Sequence, residues 1–108
     1  MEKSNFTFIK TNNRFIKIEF DKIAYIKGLG NYVEIVMIQS QKYVYYKSLK
    51  ELIDTLPDQF MRIQNSYIVN LITIDSFENN HVVIGESKIP VGKSYRDCLK
   101  ETINTLLL

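Results

Sequence analysis

The chain has no tryptophan, one cysteine, two prolines and four glycines in 108 residues. Each scarcity excludes something. A lone Cys98 rules out an internal disulfide and fits a reducing compartment. No stretch reaches the roughly 18 apolar residues of a membrane span. The opening "MEKSNFTFIK" is charged and lacks a long apolar core, so it does not read as a signal peptide. Together these features predict a cytoplasmic protein. The formal charge is only +2. That is too small for a strong global field, so any nucleic-acid role needs its basic groups gathered on one face. No repeat or linker breaks the chain, and its length suits one domain, residues 1–108 with a core of about 6–106.

Bulk is what the chain does have. Hydrophobic residues make up 45%, with seven tyrosines and six phenylalanines, enough for a real core. Their dominant spacing is two. In "RFIKIEF", Ile16, Ile18 and Phe20 share one face while Lys17 and Glu19 share the other. "IAYIK" and "YVEIVMI" follow, the latter with Val33, Ile35 and Met37 on one face, and "QSQ" connects to "KYVYY". Further on, "ITIDSF" and "HVVI" flank the turn "ENN", and Pro90 marks "SKIPV" as an edge or a strand end. Between these sets the period changes. Leu49, Leu52, Ile53 and Leu56 fall at i, i+3, i+4 and i+7, one helical face. Ser48 with Glu51 forms a capping box and Pro57 closes the helix. A terminal helix follows, with Ser94 and Asp97 as a weaker cap and a buried stripe of Tyr95, Leu99, Ile103 and Leu106. The expected class is mainly β, with short antiparallel strands paired in hairpins, one internal helix and a C-terminal helix.

Enzyme signals are poor. His81 follows a hairpin turn with no second His or Cys near it in sequence, which suits a solvated turn residue better than a ligand or a base. Cys98, beside the apolar stripe, reads as a packed thiol. The carboxylates lie singly. No catalytic residue, metal site or cofactor is expected.

Two polar stretches stand out. "GLGN" (Gly28 to Asn31) interrupts a strand pair with glycines that permit positive φ. It lacks the Lys-Ser/Thr of a phosphate loop, so a tight hairpin is the plain reading. Asn31 and Tyr32 nonetheless present polar groups where backbone can approach a partner. "RIQNS" (Arg62 to Ser66) has neither glycine nor proline. Its amides suit the edge of an adenine, though a plain polar turn explains it too. The basic residues Lys27, Arg62, Lys88, Lys93 and Arg96 all fall at or beside strand ends or the start of the last helix. On one side of the fold they would form a phosphate-positioning set.

Three segments in this order, "FDKIAYIKGLGNYVEI", "YKSLKELIDTLPDQFMRIQNSYIVNLITI" and "IPVGKSYRDCL", resemble the LytTR family of bacterial DNA-binding domains. The resemblance spans most of the chain. It implies an elongated fold of about ten strands in small antiparallel sheets. It also implies the role of output domain in a response regulator, behind a receiver domain. Such a domain reads direct repeats of double-stranded DNA through loops in the major groove. It would be monomeric in isolation and paired on DNA. Carried over by position, base contact falls to Asn31, Asn65 and the start of the last helix, at Lys93 or Ser94. Tyr32, Arg62, Gln64, Ser66, Lys88 and Arg96 would hold phosphate or support the loops. Tyr67 and Asn70 match the rest of the central motif, Asn70 as a structural residue bonding its own turn. The chain departs from the family where Gln64 stands for a common His, Asn65 for a basic residue and Gly92 for a common Ser. The alternative is a protein-interaction module on the same β scaffold with weak or no DNA binding, which the low net charge and the loss of a basic residue at Asn65 favour.

Overall fold

In the computed structural model, which describes residues 5–108, ten strands and two helices follow one another in the expected order. The strands are β1 (Phe6–Thr11), β2 (Arg14–Glu19), β3 (Ile23–Gly28), β4 (Val33–Met37) and β5 (Lys42–Tyr45). After helix α1 (Leu49–Ile53) come β6 (Phe60–Gln64), β7 (Tyr67–Asn70), β8 (Ser76–Glu78), β9 (His81–Ile84) and β10 (Ser87–Pro90). A 3-10 turn at Lys93–Tyr95 leads into α2 (Arg96–Asn104). Every strand pair is antiparallel.

The strands form three sheets: β1-β2, a five-stranded β5-β4-β3-β7-β6, and β10-β9-β8. Asparagine pairs make two of the hairpins. Asn12 and Asn13, and again Asn79 and Asn80, all take positive φ, the geometry of a two-residue turn matched to strand twist. The central sheet is apolar on both sides. One side packs Ile23, Ile26, Val33, Ile35 and Ile68 against the β1-β2 hairpin and α1. The other packs Ala24, Ile63 and Val69 against the β10-β9-β8 sheet and Leu99 of α2. Alternation along β4 therefore does not leave a wet face: Val36 is buried as well as Val33 and Ile35.

Asn70 is the one buried polar side chain among the described residues. Its Nδ2 donates to the carbonyls of Phe20 and Ile23, each at 2.9 Å, and its Oδ1 accepts from Gln59 Nε2 and from the Ile72 amide, each at 3.1 Å. The amide group is satisfied and ties the end of β7 to the start of β3.

The helices differ from expectation in detail. The Ser48–Glu51 capping box forms as read, with the Glu51 amide donating to Ser48 Oγ and the Ser48 amide to Glu51 Oε1. Yet α1 runs only over Leu49–Ile53, and Leu56 is half-buried beyond it. At α2, Ser94 makes no cap: it sits inside the 3-10 turn, and no side chain caps either segment. Leu99 is buried, but Leu106 lies past the helix end and is 68% exposed. Cys98 is exposed too, on the outer side of α2. The helix packs through one turn-spaced set, Tyr95, Leu99 and Ile103. "YIVN" forms β7, an extended strand, and "ITI" after it leaves the sheet in turns.

Candidate nucleic-acid interface

Three polar segments converge at one end of the central sheet. The first is the β3-β4 turn. Gly30 takes φ +80, a conformation few side chains tolerate, and the Leu29 amide closes the turn onto the carbonyl of Tyr32 at 2.9 Å. Asn31 stands exposed on it, and the Tyr32 ring lies 5.6 Å from that of Tyr46. Gly28 has a different reason to be glycine: a Cβ there would come within 2.7 Å of Leu49 Cδ1, so α1 packs directly on this backbone.

The second segment is the β6-β7 turn. A register shift between Arg62 and Gln64 bulges β6 at Ile63, whose side chain is fully buried. The bulge leaves Asn65 exposed at the tip. Arg62 Nη2 donates to the Asn65 carbonyl at 2.9 Å, while Arg62 Nε is buried without a partner among the described residues. Ser66 links the turns, its carbonyl accepting from the Gly28 amide at 2.8 Å. The Lys27 ammonium lies 5.9 Å from the centre of the Tyr67 ring.

The third segment runs from Pro90 into the 3-10 turn. Gln64 Nε2 donates to the Pro90 carbonyl at 2.7 Å, and the Gly92 amide to the Ile63 carbonyl at 2.7 Å. Tyr95 Oη reaches Asn65 Oδ1 at 3.5 Å, a weak contact made to the amide oxygen and not to the nitrogen. Arg96 Nε donates to the Val91 carbonyl at 3.2 Å. Between the second and third segments lies an open groove of about 680 Å³ lined by Gln64, Asn65, Gly92, Lys93, Ser94 and Tyr95. Gly92 keeps it open, since a Cβ there would press on the Tyr95 ring at 3.1 Å.

The structure thus joins the segments bearing Asn31, Asn65, Lys93 and Ser94 through backbone and side-chain hydrogen bonds, with Tyr32, Arg62, Gln64, Ser66 and Arg96 among them. Lys88 is exposed on β10, two residues before the Pro90 anchor. Tyr46 had no signal in the sequence, since the strand pattern alone does not show that it stacks on Tyr32. Among the described residues no group of three or more His, Cys, Asp or Glu is placed to hold a metal ion, and no helix is long and apolar enough to cross a membrane.

The comparisons with known proteins agree with this architecture. The family model for the LytTr DNA-binding domain matches residues 13–104. The chain belongs to that family. A solved structure described as the LytTr DNA-binding domain of a response regulator from Bacillus cereus superposes with a TM-score of 0.78, covering 94% of this chain and 98% of that one. The two are 21% identical, so that likeness speaks for the fold. A search of curated proteins finds no match.

Proposed function

We propose that the chain is the sequence-specific DNA-binding output domain of a bacterial transcriptional regulator, acting in the cytoplasm on direct repeats of double-stranded DNA. Asn31, Asn65 and the Lys93–Ser94 turn enter the major groove. Tyr32, Lys88 and Arg96 flank them at the phosphates. Arg62, Gln64 and Ser66 hold the loops in place. Family membership supports DNA as the partner. The observation that carries the site is the hydrogen-bonded continuity of three otherwise separate loops: such a scaffold fixes polar groups before contact, which lowers the ordering cost of binding. The mechanism needs no catalysis. Basic groups set register on phosphates, amides read base edges, and two domains on adjacent repeats add their affinities. A receiver domain elsewhere in the complete protein would control that pairing. Selection of bound duplexes from a random pool tests this reading. A recovered motif repeated at helical-turn spacing is the expected result; recovery without sequence enrichment would refute it.

A protein-interaction module on the same scaffold has one observation in its favour. The outward face of the β1-β2 hairpin exposes Phe6, Phe8 and Phe15, the last at 73%. The Lys17 ammonium sits 4.4 Å from the centre of the Phe6 ring. Exposed apolar patches of this kind mark contact surfaces. This face lies on the hairpin and not in the three loops.

A further inference from the structure

Strand β5 ends at the same edge of the central sheet as the three joined loops. Tyr45, its last residue, pairs with Val33 across the sheet, so Tyr46 stands beside Tyr32 and the β3-β4 turn. The two rings lie 5.6 Å apart with their planes tilted by 49°. Tyr43 and Tyr45 pack against the core, and alternation sends Tyr46 the other way, to 79% exposure.

The chain holds this exposed ring from three directions. The Lys47 amide donates to the Tyr45 carbonyl at 3.0 Å, closing a three-residue turn with Tyr46 at its centre. Ser48, two residues on, is fixed by the capping box of α1. The Tyr32 ring braces one side. Tyrosine has few torsions to freeze and is both apolar in body and polar at its tip. Held in this way, it gives up little further freedom on binding.

Its position in the sheet sets what it can touch. In the order β5-β4-β3-β7-β6, β5 lies three strand intervals from β7, whose turn with β6 carries Asn65. Neighbouring strands are spaced about 4.8 Å, so Tyr46 stands about 14 Å from that turn. The major groove of B-DNA is about 12 Å wide. With Asn65 at a base edge inside a groove, Tyr46 lies over the sugar-phosphate wall and not over a base. What a phenol offers there is an O–H donor to a phosphate oxygen.

We propose that Tyr46 is a further DNA contact outside the three loops, its hydroxyl donating to a backbone phosphate beyond the Asn31 turn. The inference rests on the DNA reading above and adds a residue to it. The contact carries no charge, so it fixes register on the duplex without adding to the salt dependence.

Binding titrations of the 108-residue chain test it, on a duplex selected by the parent and on copies of that duplex in which one phosphate at a time is replaced by a neutral methylphosphonate. Tyr46→Phe keeps the ring pair and removes only the hydroxyl. It should weaken specific and scrambled duplexes alike by about tenfold, the loss of one hydrogen bond to a charged group, with the salt slope unchanged. At one phosphate, methylphosphonate should weaken the parent and leave Tyr46→Phe no weaker than it already is. A tyrosine with a merely structural role would not show that coupling. Equal affinity of Tyr46→Phe and the parent overturns the inference while the DNA reading stands. So does a methylphosphonate profile that the two proteins share at every position. A parent that binds no duplex at low salt overturns the DNA reading, and this inference with it.

Discussion

Arg62 reaches three residues along its own turn and donates through Nη2 to the carbonyl of Asn65 at 2.9 Å. One guanidinium therefore fixes the backbone of the residue whose side-chain amide is assigned to a base edge. Asn65→Ala removes that amide and no charge. It should cost about 1–3 kcal/mol on the specific duplex and leave non-specific binding unchanged. Arg62→Ala should weaken the same duplex by loosening the loop, so the two effects overlap. A double-mutant cycle measured by binding titration should show the pair costing less than the sum of the singles. Strict additivity would mean that Arg62 does not act through Asn65.

Asn70 should be the least replaceable polar residue in the core. Asn70→Ala takes a partner from the Ile23 carbonyl and from the Ile72 amide, while the Phe20 carbonyl keeps the Ile23 amide. Buried polar groups left unpaired cost about 1–3 kcal/mol each, so the variant should lose about 2 kcal/mol or more. Urea unfolding measures this; a midpoint close to that of the parent would show that water replaces the amide.

How much of this was legible depends on how local each interaction is. The Ser48–Glu51 box is spelled within four residues and forms as read. The bond from Asn70 to its own turn, at the Ile72 amide, was legible for the same reason. Its bonds to Phe20 and Ile23 cross about 50 residues of chain, and no spacing rule reaches that far. The terminal stripe failed at Leu106 because periodicity shows which residues share a helix face but not where the neighbouring layer ends. Val36 was hidden by the reverse effect: a sheet covered on both sides buries residues that alternation assigns to solvent. The candidate loops were visible as polar interruptions. Their convergence was not, because the Gly28–Ser66 and Gln64–Pro90 bonds are tertiary.

Ser48→Ala should destabilise the fold by about 1 kcal/mol through loss of the α1 cap. The Ser48 backbone amide, then its hydroxyl, hold the Glu51 carboxyl below its ordinary value of 4.5. A carboxylate with a lowered folded pKa adds stability that is present above 4.5 and is lost as pH falls through the lowered value. The difference between parent and Ser48→Ala in melts should therefore narrow on acidification below that point. A difference that stays constant into acid would separate the cap from Glu51 ionisation.

Gly28→Ala places a methyl carbon against Leu49, whose Cγ and Cδ1 lie 2.8 and 2.7 Å from the Cβ position. Overpacking of this kind costs about 1–3 kcal/mol. Leu49→Ala removes both colliding atoms, so on that background Gly28→Ala should recover part of its loss, which denaturant titration can quantify. No recovery would place the strain in the β3 backbone instead of the α1 contact.

DNA binding should fall steeply with salt even though the net charge is only +2. Lys88 and Lys93 are exposed near the three joined loops, and their charge is local, so the field at the interface exceeds what the whole-chain total suggests. Each phosphate neutralised releases condensed counterion, giving a slope of log K against log salt of about −0.9 per contact. Lys88→Ala should flatten the slope by about one unit and weaken specific and scrambled duplexes alike. Asn65→Ala, which carries no charge, should leave the slope where it was. Light scattering under the same conditions should show monomers without DNA and two domains on a duplex carrying two repeats, since α1 and α2 each spend their apolar residues on the core. A flat salt response in the parent would remove phosphate contact from the mechanism. A stable dimer without DNA would instead move weight to the exposed phenylalanines of the β1-β2 hairpin as a self-association face.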